Sequence, residues 1–122
     1  MQPRYKNIIS FLWAEDFAKT IAFYTDVLGL EKVYESDGWA ELSIPGTRNA
    51  YLGVNRWTRD GKAPRNEFVT LGVEGIEEYQ ELLVSKNVRF EGELIELDQQ
   101  GLKMLKFYDP ESNVITLAEV LL

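Results

Sequence analysis

The 122-residue chain contains no cysteine and no histidine. The first absence excludes disulfides, thiolate metal sites and cysteine nucleophiles. The second excludes a Ser-His-Asp triad and all histidine acid–base chemistry. Together they leave carboxylates as the anionic metal donors, an unusual set for zinc. No apolar run approaches the roughly 18 residues of a membrane-spanning helix. Basic residues are outnumbered, 13 Lys and Arg against 20 Asp and Glu, for a net charge of −7. Nucleic acid is therefore a poor partner, whereas a cationic small molecule is attracted. The opening Met1-Gln-Pro-Arg-Tyr-Lys carries no apolar signal region, so the cytoplasm is the expected compartment.

What is present describes a globular domain: 45% hydrophobic and 27% charged residues. Asn7 to Trp13 has the length and composition of a strand. Asp16 is an N-cap for a helix whose apolar positions 17, 18, 21, 22, 24, 27 and 28 share a face, and Gly29 suits the left-handed residue after it. Leu30 to Glu35, Gly38 to Ile44 and Asn49 to Asn55 read as strands. The polar, aperiodic segment 56–66 is a linker holding Trp57 and the cations Arg56, Arg59, Lys62 and Arg65. The plan then repeats: a strand from Glu67 to Val73, a helix from Ile76 to Lys86, Asn87 in the role of Gly29, and strands at 88–95, 102–108 and 113–120. The Asp109-Pro110-Glu111-Ser112 sequence makes a tight turn between the last two. The order strand–helix–three strands thus occurs twice, a repeat of pattern more than of letters.

Two segments resemble signatures of a known family. Asp16 followed by Phe23-Tyr24-Thr25-Asp26-Val27-Leu28-Gly29-Leu30 is similar to the first-helix signature of the glyoxalase/bleomycin-resistance/dioxygenase family, the vicinal oxygen chelate superfamily. Phe107-Tyr108-Asp109-Pro110-Glu111-Ser112-Asn113 resembles its second signature. The resemblance spans nearly the whole chain. It implies an α+β fold of two βαβββ modules forming a cupped mixed β-sheet with flanking helices. Residues 1–122 would form one such domain, with module one at 5–55 and module two at 67–122. It further implies a homodimer. In the family's metal enzymes two His and two Glu on the cup hold one divalent cation. Carried over residue by residue, those positions fall on Ile9, Phe68, Leu52 and Thr116, three of which cannot bind a cation. The pattern therefore resembles the family's metal-free branch, and no metal and no cofactor is expected.

Strand alternation from these positions places Ile9, Phe11 and Trp13 in the cup, with Ala50, Leu52 and Val54, Phe68 and Thr70, and Val114, Thr116 and Ala118. Trp39, Glu41 and Ser43 join them, while the faces of 102–108 stay open, Met104, Lys106 and Tyr108 competing with Leu105 and Phe107. A mostly apolar, aromatic concavity with few polar groups is the usual make-up of a ligand pocket. The ligand positions are thus Ile9, Phe11, Trp13, Trp39, Glu41, Leu52, Phe68, Thr70 and Thr116, suited to an aromatic or cationic small molecule. Three functions compete: a metal-independent protein that binds and sequesters a drug or metabolite; a metal-free lyase or isomerase using Glu41 or Tyr108 as acid or base; and a structural or regulatory subunit without a pocket.

Overall fold

The structure is a computed structural model and describes residues 2–121. The chain divides into two compact units between Pro64 and Arg65, inside the predicted linker. Each unit contains one four-stranded mixed sheet and one principal helix, in the order strand–helix–three strands.

The N-terminal unit runs β1 (Ile8–Ala14), α1 (Phe17–Ala22), β2 (Glu31–Glu35), β3 (Trp39–Ser43) and β4 (Ala50–Arg56). The sheet order is β1-β4-β3-β2, with β1 parallel to β4 and the other pairs antiparallel. The Asp16 carboxylate caps α1 by accepting the Lys19 N–H at 3.1 Å, satisfying a donor that has no partner within the helix. The helix then widens into a π turn over Phe23–Val27, where the Leu28 N–H reaches back to the Phe23 carbonyl at 3.4 Å. The Thr25 hydroxyl donates to the Ile21 carbonyl at 3.0 Å in the same stretch. Gly29, at φ 75°, releases the chain toward β2. Alternation gives the sheet one apolar face, Leu12, Ala14, Ala40, Leu42, Leu52 and Val54, all buried. Buried Phe17, Ile21 and Tyr24 come from the helical segment, and α1 packs on β4.

The C-terminal unit runs β5 (Val69–Gly72), α2 (Ile76–Ser85), β6 (Ile95–Leu97), β7 (Leu102–Tyr108) and β8 (Val114–Val120), with sheet order β5-β8-β7-β6 and β5 parallel to β8. Here α2 has no N-cap side chain of its own. The Gly75 and Ile76 N–H groups donate instead to the Glu119 carboxylate from β8, at 2.8 and 3.1 Å, an anion at the positive end of the helix. Asn87 takes φ 58°, the conformation Gly29 takes in the first unit. The strand expected over 88–95 is shorter and later. Only Ile95–Leu97 pairs as β6, and Phe90 makes an isolated bridge to Phe107. Gly92, at φ 79°, breaks the extended backbone between them. Val69, Leu105, Phe107, Ile115 and Leu117 form the buried sheet face, with Ile76 and Leu83 from α2.

The turn between β7 and β8 is clamped from inside. One Asp109 carboxylate oxygen accepts the Glu111 and Asn113 N–H groups at 2.8 and 2.9 Å, and the other accepts the Asn113 side-chain amide at 2.9 Å. The Asn113 side-chain oxygen Oδ1 in turn accepts the Asn66 N–H at 2.7 Å. Ser112 sits at φ 65° within this turn.

Candidate functional site

Each sheet has a second face, opposite its helix. Register partners on adjacent strands share a face, so the pairings settle its membership. In the N-terminal sheet Ile9, Phe11 and Trp13 align with Tyr51, Gly53 and Asn55, and these with Ser43, Glu41 and Trp39. Tyr34 lies opposite Glu41 on the edge strand β2, after an irregularity at Lys32/Tyr34. The structure therefore brings together five of the residues expected from the sequence: Ile9, Phe11, Trp13, Trp39 and Glu41.

Leu52 is a correction. It is 1% exposed and pairs with Leu42, on the face that packs against the helix. Ala50 and Val54 share that face with it. The physical reason is that the fully apolar set of an alternating strand belongs on the side covered by the helix. Tyr51, Gly53 and Asn55, the residues missed, form the mixed set. That contrast within Ala50–Asn55 was the available signal, since the apolar set of β3 (Ala40, Leu42) is also the buried one.

The face is chiefly aromatic. Phe11 meets Trp13 edge-on at 5.4 Å between ring centroids and Trp39 at 6.2 Å. Trp13 meets Trp57, from beyond β4, at 5.2 Å, again edge-on. These are favourable arrangements of ring quadrupoles. Trp57 is held by its indole N–H, which donates to the Gly61 carbonyl at 3.0 Å, and the Arg59 guanidinium lies 5.7 Å from its ring. Phe11 stays 42% exposed and Ile9 37%. Glu41 stands half-buried in this surface, and its carboxylate makes no hydrogen bond or ion pair to another described residue. Of the linker cations, Arg56 lies 4.4 Å over the Phe17 ring and donates to the Asp37 carbonyl, and Arg65 pairs with Glu67.

In the C-terminal sheet the corresponding face carries Thr70, Thr116 and Lys106 in one row across β5, β8 and β7. Met104 and Tyr108 share it, which settles the orientation of β7. Thr116 is 6% exposed. Phe68 precedes β5 and is 89% exposed, its N–H donating to the Asn66 side chain at 2.7 Å. The Tyr108 ring lies beneath the Arg89 guanidinium at 4.3 Å, and Arg89 also donates to the Ser112 hydroxyl.

Two mixed four-stranded sheets of βαβββ order, each with one helix on one face and an open opposite face, define a paired-module α+β protein. Residues 7–117 match the sequence profile of the Glyoxalase/Bleomycin resistance protein/Dioxygenase superfamily. The chain belongs to that superfamily. No curated protein sequence matches it. Among solved structures it is similar to a superfamily member from Sphaerobacter thermophilus DSM 20745 (23% identity, TM-score 0.81, covering 96% of this chain and 98% of that one). It is similar to TnmS3, an antibiotic binding protein from Streptomyces sp. CB03234 (18% identity, TM-score 0.81, 98% and 99% covered). It is also similar to lactoylglutathione lyase from Agrobacterium tumefaciens (18% identity, TM-score 0.77, 97% and 96% covered).

The divalent cation of the family's metal enzymes does not fit the residues present. Its positions hold Ile9, Phe68 and Thr116, and the face of β4 offers Tyr51 or Gly53 in place of a carboxylate. Among the described residues no group of three or more His, Cys, Asp or Glu is placed to hold a metal ion.

Proposed function

We propose that this protein binds and sequesters a small organic molecule on the aromatic face of its N-terminal sheet, independently of metal. The observation that carries this reading is the Phe11–Trp13–Trp39 surface, open on the side away from the helix, with the unpaired Glu41 carboxylate set into it. Such a surface offers stacking area and one charged contact, the usual combination in a ligand site. The fold likeness to an antibiotic binding protein supports the same reading. Ile9, Phe11, Trp13, Trp39 and Glu41 are the proposed contacts on this face; Phe68, Thr70 and Thr116 are proposed separately, as contacts on the C-terminal unit's own surface. The protein is proposed to act as a cytoplasmic homodimer. Exposed Ile8 on the edge strand β1, and Phe68 ahead of the edge strand β5, supply apolar surface for such a contact.

A thermal-shift panel on EDTA-treated protein tests this, with divalent metals, cationic antibiotics and planar and aliphatic amines as probes. A ligand at 100 times its dissociation constant stabilises by about 2.7 kcal/mol. Stabilisation by an organic probe with metals silent supports the reading. Stabilisation by a metal at low micromolar concentration refutes it, and silence throughout favours a structural subunit. Turnover that is lost in Glu41→Gln or in Tyr108→Phe while binding persists would instead make the protein a metal-free lyase or isomerase. Sedimentation at micromolar concentration checks the dimer.

A further inference from the structure

Gly53 is buried in the middle of β4, and its backbone is not in the left-handed region. Nothing in the chain path there requires glycine, and glycine weakens a strand interior. Its neighbour supplies the reason. A Cβ built on Gly53 would stand 2.2 Å from Cη2, 2.7 Å from Cζ2 and 3.0 Å from Cζ3 of Trp39. The six-membered ring of Trp39 therefore occupies the place where the side chain of residue 53 would be. By register Trp39 lies opposite Asn55, while Gly53 lies between Phe11 on β1 and Glu41 on β3. The indole thus leans diagonally across β4 toward Phe11, and the missing Cβ is what admits it.

The geometry points to Gly53 as the residue that determines what this face accepts, and to a planar aromatic as the class of ligand. With glycine, the Trp39 ring is let into the sheet, tilted 57° to the Phe11 ring, which itself meets Trp13 edge-on, and a planar ligand can stack on one of these rings with the others at its edges. With any side chain at 53, the Trp39 ring is displaced outward into the space the ligand would occupy. This inference rests on the proposed binding function and adds to it the ligand class and a residue that touches the ligand only through Trp39.

The experiment compares wild type, Gly53→Ala, Trp39→Ala and the double variant. The probes are proflavine and quinoline as planar aromatics and cyclohexylamine as a non-planar amine. Near-UV circular dichroism of the free proteins reads the Trp39 environment. The expected result is a changed tryptophan spectrum in Gly53→Ala, with planar-probe affinity weakened by about tenfold, on the order of one lost ring stack. In the Trp39→Ala background, where the collision is gone, Gly53→Ala has no further effect on affinity. That background also restores room at residue 53 if the single variant folds poorly. Equal effects of Gly53→Ala in both backgrounds, or unchanged affinity in the single variant, overturn the inference while leaving the binding function standing. So does wild-type binding of cyclohexylamine with the planar probes silent. Failure of every probe to bind wild type removes the binding function itself.

Discussion

Replacing Asp109 by alanine tests whether the β7–β8 signature is a structural clamp. Asp109 is 4% exposed and its carboxylate accepts three N–H groups at 2.8 to 2.9 Å, and Asn113, which supplies two of them, is 1% exposed. A hydrogen bond to a charged group contributes roughly 1.5–3 kcal/mol, and a buried donor left unpaired costs roughly 1–3 kcal/mol. The terms are not additive, and losing a desolvated carboxylate offsets part of them. A net loss of about 3 kcal/mol follows. For a chain of this size that lowers the Tm by about 10 °C. Asp109→Asn keeps the oxygen that accepts the Glu111 and Asn113 backbone N–H groups but turns its amide toward the Asn113 amide, so it loses about half as much. Guanidinium and thermal unfolding, followed by tryptophan fluorescence, measure both variants. A loss under about 1 kcal/mol in Asp109→Ala, or an equal loss in Asp109→Asn, would refute the clamp.

Two other outcomes follow from the same packing and electrostatics. Leu52→Ala, emptying a core position 1% exposed, costs about 3 kcal/mol, whereas Tyr51→Ala on the opposite face costs less, a contrast that denaturant midpoints resolve and that reverses if the face assignment is wrong. The Lys103 ammonium on β7, hydrogen-bonded to Glu77 on α2, holds the Glu77 carboxyl below its ordinary value of 4.5, and Glu77 raises Lys103 above 10.5. The Glu77 contribution is full above 4.5 and fades as pH falls through its lowered value. The Lys103 contribution is full below 10.5 and is lost as pH rises through its raised value. In Glu77→Gln the stability difference from wild type is therefore present at neutral pH and shrinks below 4.5, and unfolding midpoints across the acid limb check it. Both groups are accessible to solvent, so high salt reduces the difference.

The doubled βαβββ order was legible because its cues are local. Asp16 caps its own helix, and Gly29 and Asn87 take the left-handed conformation that ends a helix. Alternation in Trp39–Ser43 separates Ala40 and Leu42 from Trp39, Glu41 and Ser43 in the linear sequence itself. The 88–95 segment misled because its apolar residues straddle Gly92, whose positive φ no periodicity reveals. Leu52 misled because alternation fixes which residues share a face but not which face that is; the composition of the two sets, all apolar in Ala50, Leu52 and Val54 and mixed in Tyr51, Gly53 and Asn55, is what marks the covered one.

The order of the elements, the absence of histidine and cysteine chemistry, and the aromatic residues available for a site can all be read along the chain. Those follow from short-range periodicity and composition. Tertiary structure alone decided that Tyr108 and Lys106 share a face with Thr116, and that Glu119 caps a helix 43 residues away. It also decided that Gly53 makes room for Trp39. Strand register and close approach set these relations, and both arise between residues far apart in the chain, where no local pattern records them.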